Sequence, residues 1–268
     1  MNEMDVATEQ PSFYDEPLFY DILYSPGTPE EIDLLEALDR EYSRSSTPRA
    51  RRRWLEPACG SGRYLRELIR RGRSCVGFDR NSAMLDYATS HLDANQRRRC
   101  QLIQTDMRNF ADSVGADSVD FAFIPVNTIR HLMSGSAIAR HLRELAAVLR
   151  PGGLYVVGIS LSCYGEEDVA EDCWQGSRGS VRVHQTISYI PPDPQLRREQ
   201  VISHLRIQRP AGTVYRDSSY WLRSYDHRQW RDVIRRSPFE HVVSLDDEGR
   251  EVGERCLDYQ LEILRLPS

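Results

Sequence analysis

Three carboxylates in the first half of the chain stand where strands of a nucleotide-binding sheet would end. Glu56 precedes the small-residue turn Ala58-Cys59-Gly60-Ser61-Gly62, Asp79 ends the next apolar segment, and Asp106 ends the one after it. The glycines of the turn would let a ligand approach the backbone closely. Asp79 follows the turn by about 20 residues, the spacing of an acid that binds both ribose hydroxyls. Asp106 could accept a hydrogen bond from an adenine amino group, with Met107 against the ring.

The turn excludes two common nucleotide-binding motifs. The dinucleotide motif GxGxxG requires a third glycine where Leu65 stands, and a Walker loop requires a Lys, which this chain lacks entirely. Three negative groups around one nucleoside instead favour a positively charged ligand such as S-adenosylmethionine, whose sulfonium and ammonium groups are cationic.

Short apolar strands alternate with amphipathic segments around these residues, which is typical of parallel βαβ units. Helices are expected over 28–42, 63–71, 82–92 and 136–149, with Thr28 supplying the N-terminal cap signal of the first. The expected strands are "RWLEPA", "CVGFD", "QLIQTD", "VDFAFIP" and "LYVVGIS".

The second half of the chain departs from this alternation. Residues 180–190, 200–209 and 213–223 alternate polar and apolar side chains with a period of two, which predicts three antiparallel strands. A helix capped by Asp226 and the strands "HVVSL" and "CLDYQLEILRL" follow. We therefore expect an N-terminal cap and cofactor-binding core over 1–179, an inserted lid over 180–222, and a helix and strand pair over 223–268 that complete the core.

Composition narrows the classes of function. No stretch approaches the roughly 20 apolar residues of a membrane span, and the polar start MNEMDVATEQ is unlike a signal peptide, so a cytoplasmic protein with a flexible N-terminus is expected. The six cysteines are scattered, which favours free thiols and no metal site. The net charge is −5, and the arginine runs at 51–53 and 97–99 are too short for a nucleic-acid surface.

Four ordered segments between residues 54 and 160 resemble class I S-adenosylmethionine-dependent methyltransferases. "LEPACGSG" resembles the glycine loop of that family, with Ala58 where glycine is commoner. "VGFDRNSAML" resembles its ribose segment, with Asn81 as a helix cap, "QTDMRNF" its adenine segment, and "LRPGG" the turn before its fifth strand. The resemblance implies an α/β fold with a Rossmann-like seven-stranded sheet, an antiparallel last strand and helices on both faces.

The same resemblance implies S-adenosylmethionine as the cofactor, S-adenosylhomocysteine as its product, and a set of cofactor-binding residues. "YDILY" resembles the N-terminal segment that such enzymes fold over the cofactor. The residues expected to bind the cofactor are Tyr20, Glu56, Ala58, Gly60, Gly62, Asp79, Arg80, Met84, Asp106, Met107 and Pro125.

The antiparallel insertion resembles the lid of glycine N-methyltransferases and of sugar N,N-dimethyltransferases, which implies a small-molecule acceptor. His131 follows the fourth strand and is the candidate general base, although it could equally pack against the next helix. Asn127, Tyr215, Tyr220 and Arg223 are the candidate acceptor-binding residues, and His184 and His204 also lie on the predicted lid.

The expected function is methyl transfer from S-adenosylmethionine to a nitrogen or oxygen of a small molecule, without a nucleic-acid or membrane partner and with a homodimer as a possible assembly. Two alternatives remain open. One is a module that binds S-adenosylmethionine without catalysis, and the other is a methyltransferase that acts on a protein or nucleic acid.

Overall fold

The computed structural model describes residues 13–165, 168–252 and 259–268, which form one mixed sheet between helices and a second, separate sheet. The expectation of a flexible segment over residues 1–12 lies outside the described residues. The strands are Arg53–Pro57 (β1), Ser74–Asp79 (β2), Cys100–Gln104 (β3), Val119–Ile124 (β4), Leu149–Ile159 (β5), Ala170–Arg178 (β6), Val181–Asp193 (β7), Arg198–Arg209 (β8), Gly212–Arg223 (β9), Glu240–Leu245 (β10) and Gln260–Arg265 (β11).

The larger sheet has seven strands in the order β10-β11-β5-β4-β1-β2-β3. Neighbours among β1 to β5 pair in parallel, whereas β11 is antiparallel to both β5 and β10. The predicted fold class, a Rossmann-like α/β sheet with an antiparallel last strand, is therefore confirmed. Because the parallel strands end at one edge, the residues that follow β1, β2, β3 and β4 meet there.

Helices cover both faces of this sheet. They are Pro17–Tyr24 (α1), Thr28–Tyr42 (α2), Arg63–Arg70 (α3), Ser82–Ser90 (α4), Ala94–Arg97 (α5), Ala111–Val114 (α6), Gly135–Val148 (α7) and His227–Arg235 (α8), with 3-10 turns at Phe13–Asp15, Arg49–Arg51 and Thr128–His131. Alternate residues of β4 face opposite layers: Phe121 packs towards α2 and α3, and Ala122 packs towards α7 and α8. Among the helices of the described ranges, none is both long and apolar enough to cross a membrane.

Two of the predicted helix caps are present in the structure, and a third is not. The Asn81 side chain accepts hydrogen bonds from the backbone of Ala83 and Met84, and Asp226 forms a capping box with Gln229. Thr28 is instead the first residue of α2, because Gly27 takes the cap position with a φ of 82°. The Thr28 hydroxyl donates to the Ser25 carbonyl rather than capping the helix.

The smaller sheet has four antiparallel strands in the order β6-β7-β8-β9. The strands β7, β8 and β9 lie where the period-two alternation predicted them, and β6 was not predicted. β6 is an edge strand whose residues are almost all exposed, so its sequence, "AEDCWQGSR", has no apolar face to reveal it. The division of the chain into core, lid and closing segment remains a prediction.

The cysteine prediction needs one correction. Cys59, Cys75, Cys100 and Cys173 are free thiols, as the scattered spacing indicated. Cys163, just after β5, is disulfide-bonded. Spacing in sequence cannot detect such a pairing, because the fold brings cysteines together from distant segments. Cys256 lies outside the described residues.

The helix α1 joins the smaller sheet to the core. Phe19, Ile22 and Leu23 of α1 pack with Val183 of β7 and Leu205 of β8 in one buried cluster. The Tyr24 hydroxyl donates to the Gln185 side chain at 2.9 Å. The N-terminal segment therefore packs directly against the strands of the smaller sheet.

We expect Gly176→Ala to separate β6 from α1. A Cβ at Gly176 would lie 2.3 Å from the Ile22 carbonyl oxygen, a backbone atom that cannot rotate away. Such overpacking costs about 1–3 kcal/mol, which thermal unfolding would register as a lower Tm. The control is Gly135→Ala, because a Cβ at Gly135 meets no atom within 4 Å. Equal Tm values for the two variants would contradict this contact.

Candidate functional site

A cavity of about 860 Å³ opens at the carboxyl edge of the parallel strands, between the core, α1 and the smaller sheet. This volume lies within the range of small-molecule sites, roughly 300–1,000 Å³. The glycine turn after β1 lies along one wall of the cavity, and aromatic residues of α1, β7 and β9 lie along another. One continuous space therefore connects the expected cofactor side with the lid.

The glycine turn folds back through three alternate residues in the left-handed region. Ala58, Gly60 and Gly62 have φ values of 52°, 52° and 73°. Glycine adopts this conformation without strain, and the turn is retained at Ala58 despite its Cβ. The Tyr20 ring lies over Gly60, since a Cβ built there would be 3.4 Å from the ring. The backbone of the turn is thus exposed to the cavity beneath the Tyr20 ring.

Glu56 places a carboxyl group in the cavity, and none of the described residues forms an ion pair with it. The residue is 4% exposed, and its Oε2 has no hydrogen-bond partner among the described residues. Burial raises the pKa of Glu56 well above its ordinary value, with the Arg63 guanidinium opposing the shift. A buried acceptor of this kind costs free energy unless a donor satisfies it, so the site fits a ligand that carries a positive charge.

Asp79 supports the turn and faces the same cavity. One of its oxygens accepts the backbone N–H of Gly60 at 2.9 Å, and the other accepts that of Asn81 at 2.9 Å. Burial raises the pKa of Asp79, while these backbone donors oppose the rise. Each carboxylate oxygen retains a free lone pair for a hydroxyl donor, so a ribose could bind here.

Asp106 and Met107 lie on the adjoining wall. The Asp106 carboxylate accepts from the backbone N–H of Arg108 at 2.6 Å and pairs with its guanidinium at 3.0 Å. The Arg108 side chain lowers the pKa of Asp106. The carboxylate is therefore ionised at neutral pH and is held in place within its own turn.

The turn after β4 brings Asn127 and His131 to the cavity. Val126 and Asn127 both have positive φ values, of 52° and 63°, which are unfavourable for a β-branched residue such as Val126. The Asn127 side chain fixes this turn, because it donates to the Ser160 hydroxyl at 2.9 Å and accepts the Ser160 N–H at 2.6 Å. Asn127 therefore has a clear structural role in addition to its place on the cavity wall.

His131 lies between two tyrosines. Its Nε2 is 3.4 Å from the Tyr14 hydroxyl, and its ring stacks on Tyr220 with centroids 5.5 Å apart. Burial, assisted by the positive charges of Arg80 and Arg130, lowers the pKa of His131 to about 4. The imidazole is therefore neutral at pH 7 and can accept a proton.

Asp21 links the parts that enclose the cavity. Its carboxylate is 1% exposed and accepts from Ser61 at 2.7 Å, Arg66 at 2.5 Å and Arg178 at 2.7 Å. These partners belong to the glycine turn, α3 and β6. Burial opposes ionisation of Asp21, but Arg66, Ser61 and Arg178 outweigh burial and lower its pKa to about 2.

We expect this network to stabilise the protein above pH 4 and to weaken in acid. The folded pKa of Asp21, about 2, lies below its ordinary value of 3.8, so its contribution is complete above 3.8 and is lost as the pH falls through 2. Urea unfolding of the wild type and of Asp21→Asn from pH 2 to 6 should show a stability difference that shrinks towards pH 2. The exposed Asp112→Asn controls for the loss of one charge. A pH-independent difference for Asp21→Asn would contradict the expectation.

Most of the residues expected from the sequence line this one cavity. They are Tyr20, Glu56, Ala58, Gly60, Asp79, Arg80, Met84, Asp106, Met107, Pro125, Asn127, His131 and Tyr220. Gly62, Tyr215 and Arg223 do not line it. Gly62 is the cap of α3 and faces Ala88, so its role is in the turn.

Tyr215 and Arg223, two of the residues expected to bind the acceptor, lie away from the cavity. Side chains of a strand alternate between its two faces, so Tyr215 and Tyr220 lie on opposite faces of β9, and only Tyr220 of the two lines the cavity. Tyr215 is 67% exposed and lines a shallow depression that also includes His184 and His204. Arg223 instead donates to the Met133 carbonyl at 3.2 Å.

Several cavity residues were not selected from the sequence. Those residues include Tyr14, Arg63, Trp174, Gln185, Tyr189 and Trp221. The aromatic density of "FYDEPLFYDILY" was a usable signal for Tyr14. The lid residues had no such signal, because their position over the cavity depends on how the two sheets pack.

Residues 55–153 match the family described as methyltransferase domain. The chain has a class I methyltransferase fold. The predicted resemblance to class I S-adenosylmethionine-dependent methyltransferases is thereby confirmed, and the match runs from β1 into β5. Among curated protein sequences, none matches the chain.

Several solved structures of low sequence identity match the fold over nearly the whole chain. DesVI of Streptomyces venezuelae is 18% identical, with a TM-score of 0.73 over 97% of this chain and 100% of its own. The sugar N-methyltransferase KedS8 of a Streptoalloteichus species is 19% identical, with a TM-score of 0.72 over 100% and 98%. CalS10 of Micromonospora echinaspora, an amino pentose methyltransferase solved with S-adenosylmethionine bound, is 17% identical, with a TM-score of 0.69 over 96% and 99%.

Proposed function

We propose that this chain transfers the methyl group of S-adenosylmethionine to a nitrogen or oxygen atom of a small molecule. The observation that carries the proposal is the buried Glu56 carboxylate, which faces a cavity that also contains His131 and the lid aromatics. A methyltransferase needs a cationic cofactor and an acceptor in one space, and this cavity has one end lined by carboxyl groups and one lined by aromatic rings.

The residues at the carboxyl edge suit the parts of the cofactor. Glu56 would accept a hydrogen bond from the ammonium group of the cofactor, Asp79 from the ribose hydroxyls and Asp106 from the adenine amino group. Tyr20 would cover the glycine turn, and Met84, Met107 and Pro125 would supply apolar contacts. When bound, S-adenosylmethionine supplies a methyl group already activated by the sulfonium.

The remaining task of the chain is to align the acceptor and exclude water. Such alignment can lower a barrier by roughly 7–11 kcal/mol. Asn127 and Tyr220 would orient the acceptor, and neutral His131 would take the proton that an amine or phenol must lose. An amine acceptor is favoured by the likeness to KedS8 and CalS10, which are described as a sugar N-methyltransferase and an amino pentose methyltransferase.

Two other functions are less consistent with the site. A module that only binds the cofactor would not need His131 and two tyrosines beside it in an extended cavity. A methyltransferase for proteins or nucleic acids would need an open groove, whereas α1 and the smaller sheet enclose this cavity.

Two measurements, made one after the other, test the proposal. Isothermal titration with S-adenosylmethionine and S-adenosylhomocysteine should give saturable binding of both, and binding of neither would refute cofactor use. Transfer of tritium from methyl-labelled S-adenosylmethionine should then occur to members of a panel of amino sugars, simple amines and phenols. Binding without transfer to any of them, but with labelling of a protein or nucleic acid, would favour the alternative substrates.

A further inference from the structure

A buried arginine beside His131 joins the core to the lid. Arg130 is 2% exposed and lies in the Thr128–His131 turn. Its Nε donates to the Arg223 carbonyl at 2.8 Å, and its Nη2 donates to the Glu199 carboxylate at 2.5 Å. Glu199 belongs to β8 and Arg223 ends β9, so one guanidinium holds two lid strands.

The same strands carry the aromatic partner of His131. Tyr220 stands three residues before Arg223 on β9 and pairs with Val201 of β8, two residues beyond Glu199. Its ring stacks on His131 at an interplanar angle of 27°. Arg130 and His131 are adjacent residues of one turn. The hydrogen bonds of Arg130 and the stacking of His131 on Tyr220 therefore both join this turn to the smaller sheet.

We propose that Arg130 is a positioning residue for methyl transfer, because its guanidinium holds the lid strand bearing Tyr220 against the turn bearing His131. This inference rests on the proposed function. Arg130 does not line the cavity, so it acts through His131 and Tyr220 and not on the acceptor itself.

The chemistry of arginine suits this position better than that of lysine. The planar guanidinium presents several donors in a rigid fork, so it can bind a carbonyl and a carboxylate in two fixed directions. A lysine ammonium at this position could satisfy Glu199 but not hold both strands in one geometry. Glu199 is itself largely buried, with a side chain 14% exposed, so loss of Arg130 leaves a charge without its partner.

A second buried ion pair provides a matched control. Arg52 pairs with Asp39 at 2.5 Å, and their side chains are 6% and 4% exposed. Arg52 immediately precedes β1 and does not line the cavity. Replacing either arginine removes a buried guanidinium, but only Arg130 connects His131 to the lid.

The test compares Arg130→Met, Arg130→Lys and Arg52→Met in the full chain. The ¹³Cε1–¹H resonance of His131, assigned with His131→Gln, reports the Tyr220 ring through its ring current. Arg130→Met should shift this resonance towards that of an exposed histidine and lower kcat by about 10²-fold. The Kd of S-adenosylmethionine should stay unchanged, and Arg130→Lys should restore part of kcat and part of the shift.

Comparison with Arg52→Met defines the result that would overturn the proposal. Arg52→Met should lower Tm but leave the His131 resonance and kcat as in the wild type, and Arg130→Met must not behave in the same way. If Arg130→Met does not fold, Glu199→Met carries the test, because it removes the carboxylate that accepts from Arg130 with little change in volume. An unchanged resonance and kcat in Glu199→Met would then overturn the inference. If the wild type transfers no methyl group, the proposed function fails, whereas the resonance still reports whether Arg130 fixes the contact.

Discussion

Asp79→Ala should weaken binding of S-adenosylmethionine by at least about 10²-fold. The wild-type carboxylate would accept two hydroxyl hydrogen bonds from the ribose, and a hydrogen bond to a charged group contributes about 1.5–3 kcal/mol. The same carboxylate also holds the Gly60 and Asn81 N–H groups, so the variant loses part of the turn as well. Isothermal titration with the cofactor and with S-adenosylhomocysteine measures the change in Kd.

A buried aspartate at the opposite edge of the sheet provides the control. Asp120 accepts the Arg53 N–H at 3.0 Å and pairs with Arg150 at 2.7 Å, at the amino end of the parallel strands. Asp120→Ala should therefore lower Tm while leaving the cofactor Kd near the wild-type value. A Kd that is unchanged in Asp79→Ala, or changed equally in both variants, would mean that the ribose does not bind at Asp79.

His131→Ala should lower kcat by about 10²-fold, the lower end of the range for general bases. The pKa of His131, about 4, makes the imidazole a weaker base than an ordinary histidine, so a larger contribution is not expected. The wild-type kcat should rise with pH through the region near 4 and not near 6.5, and the variant should lack that rise. Cofactor affinity should be nearly unaffected, because Glu56 and Asp79 remain.

His131→Gln separates proton transfer from packing. The amide can still hydrogen-bond the Tyr14 hydroxyl, but it cannot accept a proton at these pH values. The glutamine variant should therefore be as slow as the alanine variant while retaining the wild-type Tm. If both variants keep the wild-type kcat across the pH range, alignment alone accounts for the rate.

Much of the core site could be predicted because it follows from local patterns. Glu56, Asp79 and Asp106 each end or follow an apolar strand, and parallel strands bring their carboxyl ends to one edge. The positions of these side chains are therefore fixed by βαβ topology alone. The cap of α4 by Asn81 is local in the same sense, since it involves residues two and three positions apart.

The lid was less predictable, for two physical reasons. Tyr215 and Tyr220 are five residues apart on one strand, so they must lie on opposite faces, and the sequence alone does not say which face covers the cavity. The contact of Arg130 with Glu199 spans 69 residues, and that of Tyr14 with His131 spans 117. Contacts across such separations depend on how the sheets pack and leave no periodic signal.

The pairing of Ile159 with Gln260 returns the chain to the strand it left before forming the smaller sheet. The smaller sheet thus belongs to one long loop that the core closes, and that loop also includes α8 and β10, which pack in the core. Because the entropy of closing a loop changes by only about 0.6 kcal/mol when its length doubles, β6 to β9 can change in length at little cost while β1 and β2 keep Glu56 and Asp79 in place. A chimaera that takes a different β6 to β9 sheet should accordingly keep β5, α8, β10 and β11 of this chain, because those elements complete the larger sheet and its helix layer.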